Sequence, residues 1–135
     1  MNRTLRLVAG LVVGCLAAIA IARGAFAVLR TVWPDYAAAE PTKAYTLAMM
    51  VSRLGIGALC TAGAACATTV AAGDDGRSGW WLGALFLLLS LPVHLHTVWN
   101  DYPAWYHFVY LGYLIPIAGM SARSFRSALG RPRIA

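Results

Sequence analysis

Four stretches of this chain are nearly continuous runs of apolar residues. They extend from about Leu7 to Val28, Thr46 to Ala71, Trp80 to Val98 and Ala104 to Ser121. A helix needs about 20 mostly apolar residues to cross the hydrocarbon core of a bilayer, and each stretch comes close to that length. The first two each hold one charged residue, Arg23 and Arg53, and the last two hold none. Between them lie short segments rich in turn formers. These are Trp33 to Lys43 with two prolines, GDDGRSG from Gly73 to Gly79, and WNDYP from Trp99 to Pro103. Short connections between helices of bilayer length make sequential helices antiparallel neighbours. The pattern predicts an all-α integral membrane protein, an up-down bundle of four transmembrane helices over 7–28, 46–71, 80–98 and 104–121. These form a single domain, followed by a basic tail over 122–135.

Composition narrows the class further. Of 135 residues, 60% are hydrophobic and only 12% charged, and the mean hydropathy is +0.65. That leaves too little polar surface to cover a soluble globule of this size, so a soluble enzyme and a disordered tail are excluded. Cys15, Cys60 and Cys66 all fall within apolar runs. Their odd number and the lack of C-x-x-C spacing argue against a disulfide framework.

Eleven basic against five acidic residues give a net charge of +6. A basic excess in a soluble protein would suggest nucleic acid, but here the arginines flank apolar runs and no basic face with interleaved aromatics exists, so nucleic-acid binding is not expected. The distribution reads as topology. With both termini cytoplasmic, Arg3, Arg6, Arg77, Arg123, Arg126, Arg131 and Arg133 share the inner side. Arg23, Arg30, Lys43 and Arg53 then lie on or toward the outer side. Trp80 and Trp81 mark the inner interface, and Trp33, Trp99 and Trp105 the outer one. The expected location is a cell membrane, the inner membrane of a bacterium, with the lipid bilayer as partner. The N-terminal MNRTLR-LVAGLVVG also has the look of a signal peptide, with Cys15 in a lipobox-like setting and Ala25-Phe26-Ala27 as a possible cleavage site. Because the apolar run continues well past Cys15, an uncleaved first helix is the expectation.

Two internal patterns bear on packing. Thr31-Val32-Trp33-Pro34-Asp35-Tyr36 and Thr97-Val98-Trp99-Asn100-Asp101-Tyr102 agree at five of six positions. They read either as duplication of a two-helix unit or as two solutions to one local problem, an interfacial Trp, a capping Asp and an interfacial Tyr. Gly10, Gly14, Ala18 and Ala22, and separately Gly57, Thr61, Ala65 and Thr69, form stripes of small residues at four-residue spacing. Such stripes let helices approach closely, within the monomer or with a membrane-protein partner or second copy.

The polar groups inside the apolar runs carry the candidate chemistry. Arg53 lies about two turns into the second stretch, where an ionised group must find a partner, face the bundle or snorkel. Asp35, Glu40 and Asp101 are the carboxylates at that depth. Ser90, His94, Thr97 and Asp101 share one helix face, with Pro92 loosening the backbone just before them. Tyr102, Tyr106, Tyr110 and Tyr113 share a face of the last stretch, either lining a cavity or bonding to neighbouring helices. His94 and His96, two apart, point away from each other on a regular helix, while His107 is able to meet one of them across the turn. No metal site is expected from them, no cofactor motif is present, and no nucleophile constellation marks an enzyme. No carboxylate lies inside any span, which fits poorly with a proton-coupled exporter. The expectation is a non-enzymatic membrane protein that binds a lipid-like or small anionic ligand in an outer-half pocket. Arg53, His94, Asp101, Tyr106, His107 and Tyr110 would bound that pocket. The alternatives are a small-solute transporter or channel, and a structural subunit of a membrane complex.

Overall fold

Helix ends sit where a polar side chain takes up free backbone groups or a proline forbids continuation. In a computed structural model that describes residues 2–130, α1 covers Arg3–Val32, and the Asn2 side chain accepts from the Thr4 N–H at 3.2 Å. Pro34, which has no N–H to donate, opens the short α2, Pro34–Ala39. α3, Leu47–Ala72, starts on Thr46, whose hydroxyl accepts from the Met49 N–H at 3.3 Å. It stops at Gly73, whose φ of 66° is left-handed and suits a residue without Cβ. The Asp74 carboxylate then gathers the N–H groups of Gly76 at 2.9 Å and Ser78 at 2.8 Å, starting α4, Arg77–Pro92. Beyond Pro92 the chain makes one π-helical turn, Val93–Thr97, in which the Val98 N–H donates to the Val93 carbonyl at 3.1 Å. A 3₁₀ turn over Trp99–Asp101 leads to α5, Ala104–Leu129, with Pro103 before its first turn. Among the described residues 87% are helical and none is in a strand.

The helices depart from the predicted spans mainly at their ends. At 30 residues, α1 is about 45 Å long, longer than a hydrocarbon core of about 30 Å, so Arg3, Arg6 and Arg30 extend past the apolar run. The third predicted span begins earlier, at Arg77, and gives up α-helical geometry at Pro92 because the ring removes a hydrogen bond there. Residues 122–129, expected as part of a tail, are the last turns of α5 and carry Arg123 and Arg126. Arg131 and Arg133 lie outside the described residues. Among the described residues three helical segments are long and apolar enough to cross a membrane: Arg3–Val32, Leu47–Ala72 and Arg77–Thr97.

Packing joins α1 to α3 and α4 to α5 as two antiparallel hairpins, which meet mainly along α3 and α5. Each hairpin uses the same device. In the first, Gly10 and Gly14 lie on Ala64, Thr68 and Ala72 of α3; a Cβ at Gly10 would stand 2.9 Å from the Thr68 carbonyl oxygen. In the second, Gly79 and Gly83 lie on Leu114, Ala118 and Ala122 of α5; a Cβ at Gly83 would stand 2.7 Å from the Ile115 Cα. The core between them is Ala64, Ala65, Leu82, Ala118 and Ala122, all fully buried. The stripe predicted on α3 is split between neighbours. Gly57 faces Tyr110 and Tyr113 of α5 and the Thr69 hydroxyl lies 3.4 Å from that of Ser78 in α4, while the face one residue earlier, 64-68-72, receives α1. A helix ridge docks where both backbones can approach, and Gly10 and Gly14 select that register.

Candidate functional site

Away from the Gly14–Leu82 contact, α1 and α4 part, and a cavity of about 490 Å³ opens between them. Ala18, Ala22 and Phe26 of α1 form one wall, Phe86, Ser90 and His94 of the α4 arm the other. Arg53, Gly57 and Cys60 of α3 and Tyr106 and Tyr110 of α5 line the rest, with Tyr102 at the end covered by the α1–α3 connection, the outer end of the cavity. Its volume falls in the range of small-molecule sites.

Arg53 reaches the outer end of this space from the second turn of α3. One of its terminal nitrogens donates to the hydroxyls of Tyr36 and Tyr45, the latter at 3.3 Å. Its guanidinium lies over three aromatic rings, 4.9 Å from the Tyr45 centroid, 5.0 Å from Phe26 and 5.7 Å from Tyr102. Faces of aromatic rings carry negative charge density, so they stabilise a cation without neutralising it. The nearest carboxylate, Glu40, is 3.9 Å away and is already held by both nitrogens of the Arg30 fork, at 2.5 and 3.1 Å. The buried Nε of Arg53 has no hydrogen-bond partner among the described residues.

The histidines form a relay. His107, fully buried, points Nε2 at the carbonyl oxygens of Trp99 at 3.2 Å and Tyr102 at 3.3 Å. Only an N–H satisfies two acceptors, so Nε2 carries the proton and Nδ1 is left as an acceptor. The His94 Nδ1, 2.8 Å away, therefore donates to it, which leaves the lone pair of His94, itself a residue of the cavity wall, on Nε2. A gap of 2.8 Å between the two nitrogens is a hydrogen bond and has no room for a metal ion, which needs about 2.0 Å on each side. Among the described residues no three His, Cys, Asp or Glu side chains converge as metal ligands. His94 stacks on Tyr110 with centroids 4.5 Å apart, and Tyr106 stacks on Tyr102 at 4.4 Å. His96 is exposed and takes no part.

His107→Phe is expected to leave the buried His94 N–H without an acceptor, at a cost of about 1–3 kcal/mol. His96→Phe should be neutral. Thermal unfolding followed by tryptophan fluorescence distinguishes them, and equal melting temperatures for the two variants would discount the relay.

The outer end is roofed by the α1–α3 connection. Tyr36, fully buried, Tyr45 and Tyr102 stack in sequence at 5.7 and 5.8 Å. Ion pairs fasten this roof at two points, Arg30–Glu40 and Lys43–Asp101. The hydrogen bonds from Arg30 hold the Glu40 carboxyl below the usual carboxylate range, against a smaller opposing effect of burial. A carboxylate lowered on folding stabilises the fold above its unfolded pKa and loses that contribution as pH falls through the folded value. Glu40→Gln is therefore expected to melt slightly lower than the parent chain at neutral pH and level with it in acid below that window. A gap that persists or widens in acid would show that the pair contributes no such stability.

Of the six residues singled out from the sequence, Arg53, His94, Tyr106 and Tyr110 line one cavity. His107 stands behind His94 as its acceptor, and Asp101 belongs to the roof through Lys43. Sequence reasoning passed over Tyr45, which has no periodic partner in the chain, and Tyr36 and Glu40 as parts of a roof. The repeated motif held the one available signal, since its two tyrosines, Tyr36 and Tyr102, both converge on Arg53. No protein-family model, curated protein or solved structure matches this chain.

Proposed function

We propose that this chain is a multi-pass protein of the bacterial inner membrane and binds an anionic or lipid-like ligand in the cavity beside Arg53. In this reading α5 spans alongside the three more apolar segments, because it packs lengthwise on α3 and α4. Both termini are cytoplasmic, following the arginine distribution. α1 is retained as a span, since Gly10 and Gly14 are seated on α3. The observation that carries the binding proposal is the charge of the cavity. Arg53 is its one formal charge among the described residues, no acidic side chain lines it, and the nearest carboxylate is engaged elsewhere. A partly buried cation that lacks a dedicated counter-ion favours an incoming anion.

The direct test is ligand-dependent melting of the purified protein in lipid discs. Dodecanoate or dodecyl phosphate should raise the melting temperature in a concentration-dependent way, and methyl dodecanoate, of similar size but uncharged, should not. Equal shifts from charged and uncharged compounds, or none from either, would defeat the proposal.

A second reading, a path for a small solute, draws on the π-helical turn after Pro92 and on the proline inside α5, Pro116. Flux in reconstituted vesicles separates it from binding alone.

A further inference from the structure

The cavity is closed on one side and open on another, and this asymmetry bears on which anions reach it. Toward the outer aqueous face it is covered by the stacked rings of Tyr36, Tyr45 and Tyr102, with the Arg53 cation beneath the last two. The cover is pinned at both edges, Arg30 to Glu40 on the α1 side and Lys43 to Asp101 on the α5 side. A water-borne anion arriving from that face would have to part an aromatic stack and break ion pairs before meeting Arg53.

The flank between α1 and α4 is different. Ile19 and Leu89 both line the cavity, yet each remains more than half exposed, at 56% and 57%. Val93, one turn further out, is also both lining and exposed. The opening is therefore framed by apolar side chains, and in a bilayer these face acyl chains rather than water. A ligand passing this way is already dissolved in the membrane, with its polar head at the depth of Arg53 and His94 and its chain against the apolar walls.

Resting on the binding function proposed above, we infer that the ligand is a single-chain amphiphile with an oxyanion head, entering sideways from the bilayer between α1 and α4. The guanidinium supplies charge and hydrogen bonds to the head, and a planar fork suits a carboxylate or a phosphate monoester equally. His94 Nε2 adds an acceptor that suits a head still bearing one proton. The aliphatic frame of Ala18, Ala22 and Leu89 takes the chain.

Two comparisons test this on the intact protein in lipid discs. The first sets dodecanoate against acetate, and dodecyl phosphate against inorganic phosphate, by equilibrium binding of labelled compound. Counted against free aqueous compound, with uptake by protein-free discs subtracted, burial of several methylenes should make each chain-bearing anion bind about 100-fold or more tighter than its chainless counterpart. Whether carboxylate or phosphate binds better then identifies the head. If the chainless anions bind as tightly as the others, the cavity is an anion site but the amphiphile inference is overturned. If none of the four binds, the proposed function itself fails.

The second comparison is kinetic. Ile19→Trp and Leu89→Trp place bulk on opposite rims of the lateral opening, and Lys43→Ala unpins the roof. Sideways entry predicts that both tryptophan variants slow association of dodecyl phosphate and that Lys43→Ala leaves it unchanged. Faster association in Lys43→Ala, with the tryptophan variants unaffected, would place the entrance at the aqueous face and overturn the inference. Two separate rim variants guard against misfolding of either, and the chain-length comparison needs no variant.

Discussion

Arg53→Met is expected to lower the affinity of the cavity for an anionic amphiphile by about 10- to 150-fold, corresponding to loss of roughly 1.5–3 kcal/mol for hydrogen bonding to a charged group. The expectation follows from the charge inventory. Among the described residues Arg53 is the one formal charge lining the cavity, and the rest of its surface consists of aliphatic groups, phenylalanine and tyrosine rings, a histidine, a cysteine and small hydroxyls. Methionine keeps much of the side chain's bulk and removes the ion. Its effect on stability is the balance of two opposing terms. The buried Tyr36 hydroxyl loses its donor, which costs stability, but the bundle no longer has to desolvate a cation. Affinity should therefore move much more than melting temperature. Arg53→Lys sharpens the comparison: it restores the charge without the planar fork, so it should recover part of the affinity but not all. Titration of dodecyl phosphate against the three proteins in lipid discs gives the answer. Indistinguishable affinities would remove Arg53 from the site.

The second large effect is expected at the helix crossings. Gly83→Ala should destabilise the bundle by about 1–3 kcal/mol, the usual cost of forcing extra methyl groups into a packed core, and Gly83→Leu by more. A Cβ there would stand 2.7 Å from the Ile115 Cα and 3.0 Å from the Leu114 carbonyl oxygen. These are backbone atoms and cannot swing aside, so the α4–α5 hairpin itself must open. Gly79 repeats the arrangement one turn earlier, where its Cβ would stand 2.7 Å from the Ala118 carbonyl oxygen. Gly24, Gly55 and Gly112 are the controls, because, apart from the neighbouring backbone of its own helix, no atom of the described residues lies within 4 Å of a Cβ added to any of them. Their alanine variants should equal or slightly exceed the parent stability, since alanine is the better helix former. The measurement is thermal unfolding in detergent or lipid discs. If Gly83→Ala and Gly112→Ala behave alike, the close crossing is not what holds α4 to α5.

These two predictions rest on information of different origin. Arg53 was conspicuous in the chain because an arginine two turns inside an apolar run is costly wherever it sits. Its surroundings were far less legible. Tyr36 and Tyr45 belong to a connection that carries two prolines and no periodicity, and only folding brings both hydroxyls to one nitrogen of the guanidinium. His94 and His107 stood out as residues able to meet across a turn. That they hydrogen-bond Nδ1 to Nδ1 depends on the π-helical turn after Pro92 and on two carbonyls of the WNDYP segment. Asp101 shared a helical face with His94 in the linear pattern. The chain leaves helical geometry between them, so the carboxylate turns to Lys43 instead.

Packing shows the same division. The spacing of Gly10 and Gly14 announced a close helix contact. Its partner face was not announced, since the stripe at Gly57, Thr61, Ala65 and Thr69 is as small as the one at Ala64, Thr68 and Ala72, which receives it. Small residues alone say that a backbone can be approached; they do not say by which neighbour. The equivalent crossing at Gly79 and Gly83 was hidden because its first glycine sits in the polar GDDGRSG segment, outside the apolar run.

By itself the sequence determined the helical class and the apolar length of the segments, because both follow from local composition and from the need of every backbone group to be hydrogen-bonded within its own helix. It also singled out the depth at which polar groups collect. Only the tertiary structure decided that α1 and α4 separate beyond the Gly14–Leu82 contact, that Tyr45 joins the two repeated tyrosines in a roof, and that Arg53 is left without a carboxylate of its own. The reason is physical: the period of a helix fixes which residues share a face. The direction of that face is set by helix crossings, which depend on where two backbones, distant in sequence, come within contact of each other.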